Sequence, residues 1–165
     1  MSYAFRPANR ADLPMLRDWL ETPEVRRWWG EPDAQFALLD ADLDDARMTM
    51  RVVSFDGNPF AYVQYCRVHD WPQTPFAHLP AGALAIDAFI GVPTMIGKGH
   101  GGAFLRLLAE ELIADGAPVL AIDPDIANVR ARAAYARAGF VEEAVVATED
   151  GPVVLMLLGA IPTSR

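Results

Sequence analysis

Four glycines fall within six residues, at Gly97, Gly99, Gly101 and Gly102, and the amphipathic run AFLRLLAEEL follows at once. Glycine reaches positive φ without steric penalty and lets another group approach the bare backbone, at a cost in conformational entropy. A cluster of this kind at the head of a helical pattern restricts the chain to folds in which a loop turns tightly into a helix N-terminus. The first-turn amides of such a helix have no partner within it, and the helix dipole favours an anion there.

Three ligands use loops of this kind. A nucleotide-triphosphate loop needs Gly-x4-Gly-Lys and then Ser or Thr to reach magnesium. Here Gly91 lies one residue too far from Gly97, and Gly99 stands where the hydroxyl belongs. A dinucleotide fingerprint is formally present as Gly97-x-Gly99-x-x-Gly102, with Asp123 21 residues beyond Gly102, where a ribose-binding acid belongs. Against it, VPTMI separates Gly91 from Gly97, and one helix and a hairpin after Asp123 are too little for a series of parallel strand-helix units. The third reading needs only a pyrophosphate, bound by the backbone amides of Lys98, Gly99, His100, Gly101 and Gly102. A bare strand-to-helix connection is the alternative without a ligand.

The rest of the chain frames this loop. YAFRPA (Tyr3 to Ala8) reads as a strand, and Asn9 or Asp12 can cap a helix carrying Leu13, Leu16, Trp19 and Leu20 on one face. Thr22-Pro23 starts a short helix through EVRRWW, which Gly30 ends. Helical spacing from Ala34 to Arg47 leaves Asp40, Asp42, Asp44 and Asp45 on the surface. MTMRVVSF and FAYVQYCRV flank Asp56-Gly57-Asn58-Pro59 as a hairpin. A long loop from His69 to Gly82 leads to the strand ALAIDAFIG. After the glycines, Phe104, Leu105, Leu107, Leu108, Leu112 and Ile113 mark a buried helix face. PVLAID is a strand, Asn128 to Ala138 a helix stopped by Gly139, and VEEAVVAT with VVLMLL a closing hairpin around Glu149-Asp150-Gly151-Pro152. The order predicts an α/β fold whose central sheet is mixed and largely antiparallel, with helices flanking it.

Residues 1–165 read as one domain, with no linker, repeat or apolar run of membrane-spanning length. The start MSYAFRPANR lacks the pattern of a secretory signal, and a lone Cys66 in a strand-like run reads as core in a cytoplasmic protein. A net charge of −8 argues against nucleic acid as partner. It suits either a cationic substrate drawn to an acidic cleft or simple solubility. His69, His78 and His100 have no metal-ligand spacing, so no metal is expected. No Ser-His-Asp or Cys-His grouping suggests a covalent intermediate.

IGKGHGGAFLRLLAEEL followed by AIDPDIANVRARAAYARAGFVEE resembles the acetyl-CoA-binding core of the GNAT N-acetyltransferase superfamily. Ile96, Gly99 and Gly101 occupy the signature places, Ile96 replacing the usual Gln or Arg, and the Asn, Tyr and Gly-Phe of NVRARAAYARAGF form the second marker. EVRRWWG, IDAFIG and DPDIANVRA make the chain look closest to aminoglycoside 6'-N-acetyltransferases, with similar layout from Tyr3 to Leu158. The sister group that acylates hydroxylysine-type amines for siderophores shares the Trp-Trp segment but usually carries His where Asp87 stands.

Acetyl transfer to an amine needs a neutral nucleophile, a donor for the thioester oxygen and a proton for the leaving thiolate. Asp87, an acid in an otherwise apolar strand, is the candidate base; a satisfied structural carboxylate or an edge position facing water is its alternative. The resemblance implies a backbone amide near Phe89 and Ile90 for the thioester oxygen, Tyr135 as thiolate acid, and Asn128 on the pantetheine arm or pyrophosphate. It also implies that Asp123 contacts a substrate ammonium; capping the segment at Pro124 is the other reading. Lys98 is expected either to add charge near the phosphates or to be a solvated surface lysine. Trp28 and Trp29 are candidates for a wall against an amine-bearing ring, one in the core and one in the pocket. The expected activity is direct acetyl transfer from acetyl-CoA to a primary amine, foremost the 6'-amine of an aminoglycoside, without a membrane partner. A siderophore-precursor acyltransferase, a protein N-terminal acetyltransferase and a non-catalytic acyl-CoA sensor are the alternatives. Exposed strands of the C-terminal hairpin point to a homodimer.

Overall fold

A computed structural model describes residues 2–159. The strands are β1 (Tyr3–Pro7), β2 (Met48–Phe55), β3 (Asn58–Arg67), β4 (Leu84–Ile90), β5 (Val119–Ile122), β6 (Val141–Thr148) and β7 (Gly151–Gly159). The helices are α1 (Leu13–Leu20), α2 (Pro23–Trp29), α3 (Pro32–Asp42), α4 (His100–Ala114) and α5 (Val129–Ala138). The strands form one sheet in the order β1-β2-β3-β4-β5-β7-β6. β4 pairs β5 in parallel at Leu84–Leu120 and Ala85–Ala121, whereas β1–β2, β5–β7 and β6–β7 are antiparallel. This is the mixed, mostly antiparallel sheet that the order of elements predicts. Among the described residues no helix is long and apolar enough to cross a membrane.

The chain divides into two compact units, and β4 contributes to both. The first takes residues up to Tyr65 together with Asp87–Lys98. Its core joins Leu16, Trp19 and Leu20 of α1 to Val25, Leu39, Met50, Val52, Tyr62 and Phe89. Asn9 opens α1 through a short 3-10 turn: its side chain accepts from the Ala11 N–H, while Asp12 accepts from the Asn9 N–H. Asp12 also receives both guanidinium nitrogens of Arg6, at 2.8 and 2.7 Å. The hydrogen bond from Arg6 is the main reason the Asp12 carboxyl lies below its ordinary pKa. Gly30 ends α2 at φ +103°, as its position after the Trp-Trp pair predicts. At Gly91 a side chain has no room, since an added Cβ would lie 2.1 Å from the Trp19 ring.

The second unit takes Cys66–Ile86 and the described residues from Gly99 onward. Val68, Phe76, Leu79 and Ala83 pack with Val119 and Ala121 of β5 and Leu155 and Leu157 of β7. The long loop is thus tied down by its own apolar residues, with a 3-10 turn at Thr74–Phe76. Gly139 ends α5 at φ +112°.

Three local readings are corrected. The third helix runs from Pro32 to Asp42 rather than from Ala34 to Arg47, because Pro is favourable in a first turn and the backbone turns tightly after Asp42. Asp42 is not a surface acid: it is 9% exposed, on the side of α3 that Leu39 and Leu43 turn to the core. Leu107, read as part of a buried face, is 45% exposed, and Ala109 is buried instead. The α4 sequence is apolar over more of its circumference than it can bury, so spacing alone does not rank its leucines.

Candidate active site

The glycine loop forms as its sequence demands. Gly97 and Gly99 have φ of +76° and +85°, and Gly99 is the residue from which α4 starts. The first backbone bond of α4 joins the Ala103 N–H to the Gly99 carbonyl, so the amides of His100, Gly101 and Gly102 precede the helical ladder. No acidic side chain stands in the first turn to compete with an anion for the positive end of the dipole. Gly102 has a second reason to be glycine. A Cβ there would lie 3.0 Å from the Ala134 carbonyl oxygen of α5, so the residue permits the two helices to approach.

Also in the second unit, Asn128 caps α5, its Oδ1 accepting the Ala131 N–H at 3.2 Å. Its carbonyl is thereby committed to the helix, leaving the amide nitrogen as the group able to meet a ligand. Tyr135 is half-buried on α5, with its ring 6.4 Å from that of Phe140. Asp123 is half-buried just after β5; the α5 cap is Asn128, and Asp125 shapes the turn before it by accepting the Ala127 N–H.

The first unit holds a different kind of chemistry. Phe89 of β4 meets Trp29 edge-on at 5.0 Å and Trp19 at 6.3 Å, and its ring lies 5.3 Å from Tyr62. Two residues earlier on the same face of β4 is Asp87. Its carboxylate Oδ2 accepts from Gln64 Nε2 of β3 at 3.4 Å, and Gln64 Oε1 accepts the Tyr62 hydroxyl at 2.8 Å. The Gly91 N–H bonds the Phe60 carbonyl, so the contacts step four residues forward on β3 and four back on β4, as in an antiparallel pair.

Asp87 differs from the buried acid expected of an apolar strand, because its side chain is open to solvent. The protein around it nevertheless disfavours the charged form and raises the carboxyl pKa, an effect the Gln64 hydrogen bond opposes. An accessible carboxylate of raised basicity can bind an ammonium and take its proton. The two tryptophans divide the roles foreseen for them unevenly. Trp29 packs into the aromatic cluster around Phe89, whereas Trp28 donates its indole N–H to Glu24 at 3.0 Å and lies under the Arg27 guanidinium at 4.6 Å. Lys98 is exposed.

Sequence reasoning passed over Tyr62 and Gln64. The available signal was a polar Gln inside FAYVQYCRV, two residues from Tyr62 and hence on its face of the strand. Among the described residues no group of three or more His, Cys, Asp or Glu side chains is arranged to hold a metal ion.

A model of the acetyltransferase (GNAT) domain matches residues 8–148. The chain belongs to this family. It is 30% identical over 165 residues to the aminoglycoside N(6')-acetyltransferase type 1 of Klebsiella pneumoniae, across 94% of this chain and 82% of that protein. The solved structure of AAC(6')-Ib in complex with parmomycin and acetyl-CoA matches with a TM-score of 0.83 at 28% identity, covering 97% of this chain and 94% of that one. The aminoglycoside acetyltransferase AAC(6')-Ib in complex with coenzyme A and kanamycin gives 0.82 at 29% identity, over 96% and 95% of the two chains. As a GNAT acetyltransferase domain, the chain has the fold that its glycine loop and NVRARAAYARAGF segment led one to expect.

Proposed function

We propose that the chain is a single acetyl-CoA-dependent N-acetyltransferase domain acting on the 6'-amine of an aminoglycoside-type polycation. The observation that carries this reading is the solvent-open Asp87 carboxylate, held by Gln64 beside an aromatic cluster. The 30% identity to an aminoglycoside N(6')-acetyltransferase supports the acceptor class. Asp rather than His at position 87 favours an amino sugar over a hydroxylysine-type amine.

An ammonium has no lone pair, so binding and deprotonation come first. Asp87 attracts the ammonium and accepts its proton, and the neutral nitrogen attacks the thioester carbonyl carbon. Negative charge developing on the carbonyl oxygen is met by the backbone N–H of Phe89 or Ile90, beyond the registered β4–β5 pairs at Leu84 and Ala85. Collapse forms the amide and expels the coenzyme thiolate, which takes a proton from the Tyr135 hydroxyl; the second proton lost from the nitrogen passes through solvent and restores the phenol. The amides of Gly99, His100, Gly101 and Gly102 hold the pyrophosphate, with Lys98 adding charge and the Asn128 amide nitrogen meeting the pantetheine arm. Asp123 and Trp29 contact the acceptor; Trp28, engaged by Glu24 and Arg27, buttresses α2.

A cytoplasmic location goes with this proposal, as does a homodimer through the C-terminal hairpin. Exposure of Val141 and Val145 on the outer strand β6 supports the dimer, which sedimentation would test. The activity is tested by thiol release from acetyl-CoA across a panel of 6'-amino sugars, hydroxylysine-type amines and polyamines. Turnover on the amino sugars that disappears in Asp87→Asn is expected. Turnover on hydroxylysine-type amines alone would move the acceptor to the siderophore class. Intact coenzyme binding without turnover on any amine would contradict an enzymatic role.

A further inference from the structure

We propose that Tyr62 is a positioning residue for Asp87, acting through the side-chain amide of Gln64. This rests on the reading of Asp87 as the group that takes the ammonium proton. The three side chains form one chain of hydrogen bonds across β3 and β4: Tyr62 hydroxyl to Gln64 Oε1 at 2.8 Å, and Gln64 Nε2 to Asp87 Oδ2 at 3.4 Å.

The polarity of this chain follows from what each end can do. An ionised carboxylate only accepts, so it requires the NH2 edge of the amide. That turns the amide oxygen to Tyr62, whose hydroxyl must then donate. Tyr62 can fill no other role, because its side chain is fully buried and its phenol is held protonated. Burial is the main cause, and the negative charges of Asp42 at the end of α3 and Asp87 on β4 add to it. These two carboxylates are the charged groups acting on the phenol, and Gln64 is neutral. A hydroxyl fixed as a donor locks the amide in the orientation that favours ionised Asp87. Without it the amide can turn its oxygen toward the carboxylate, which then favours the protonated, inactive acid. Because Gln64 holds Oδ2, the other carboxylate oxygen is left for the acceptor ammonium.

The test reads the Asp87 carboxyl directly by carbon NMR, with the resonance assigned by its loss in Asp87→Asn. In Tyr62→Phe, which keeps the packed ring, the Asp87 titration moves to higher pH than in the wild type. It moves the same way in Gln64→Met, and adding Tyr62→Phe to Gln64→Met moves it no further. The acid limb of kcat/KM for an amino sugar follows the titration. On that limb kcat/KM falls about five- to tenfold, the scale of one net hydrogen bond, while coenzyme KM is unchanged. Should Tyr62→Phe fail to fold, 3-fluorotyrosine placed at position 62, a stronger donor of nearly the same shape, moves the titration to lower pH.

An Asp87 titration that stays put in both Tyr62 variants would overturn the proposal. So would equal, additive shifts from Tyr62→Phe in the presence and absence of Gln64. Titrations that move as expected in a protein that acetylates no amine would instead overturn the reading of Asp87 as the reaction's base.

Discussion

The two units solve their binding problems with different parts of the polypeptide. What the second unit offers a ligand, on the proposed reading, is chiefly backbone: Gly99 at positive φ and the first-turn amides of α4, with Gly102 thinned for the approach of α5. The first unit uses side chains, Asp87 held by Gln64 and Tyr62 beside a cluster of Trp29, Phe89 and Trp19. On the proposed function, backbone amides would recognise a pyrophosphate whatever acyl chemistry follows, whereas side chains would choose the amine. The difference teaches that coenzyme and acceptor functions are separable by mutation.

The largest expected effect breaks one side and spares the other. Asp87→Asn lowers kcat by about a hundredfold or more, the scale of a lost general base, and leaves coenzyme affinity unchanged in a binding titration. Gly91→Ala tests the packing of the acceptor side. With a Cβ placed 2.1 Å from Trp19, it costs about 2 kcal/mol or more in denaturant unfolding. The converse of the first variant is Gly99→Val. A β-branched residue at φ +85° is strained by about 1–2 kcal/mol, and coenzyme affinity falls about tenfold with acceptor KM nearly unchanged. An acceptor KM that rose as much as the coenzyme Kd fell in affinity would break the comparison.

Asp12→Ala removes the reciprocal cap of the 3-10 turn that leads into α1 and the paired bonds from Arg6, for about 1 kcal/mol of stability after allowing for the half-exposed guanidinium. The Asp12 carboxyl is lowered on folding, so this contribution is present above the ordinary aspartate pKa. It disappears as pH falls through the folded-state value. Asp42 behaves in the opposite sense. Burial raises its carboxyl, with Asp45 adding to the effect, so the folded state loses stability as pH rises from the ordinary aspartate pKa through the raised one. Asp42→Asn therefore gives a small rise in thermal midpoint at neutral pH and none at a pH below the ordinary value.

What the sequence made legible follows the same division. Local backbone signals were enough for the second unit: glycines before a helix, Asn128 at a cap and Gly139 at a stop each act within a few residues of where they stand. In the first unit Asp87 was visible because an acid interrupts an apolar strand. Its partners Gln64 and Tyr62 lie more than twenty residues away in the chain, and only the pairing of β3 with β4 brings them to it. Asp42 was misjudged because α3 has apolar residues around most of its surface. Leu38 ends 53% exposed while the acid four residues on is buried. Periodicity cannot choose a buried face when no single stripe stands out.

The central claim is that acetyl passes to the 6'-amine of an amino sugar with Asp87 as base. Its most direct measurement is thiol release from acetyl-CoA with two acceptors that differ only in bearing an amine or a hydroxyl at the 6' position. Fast release with the amine, a single acetyl on that nitrogen by NMR, and almost none with the hydroxyl or in Asp87→Asn is the predicted result. Equal release with both acceptors, or acetylation unaffected by Asp87→Asn, would contradict it.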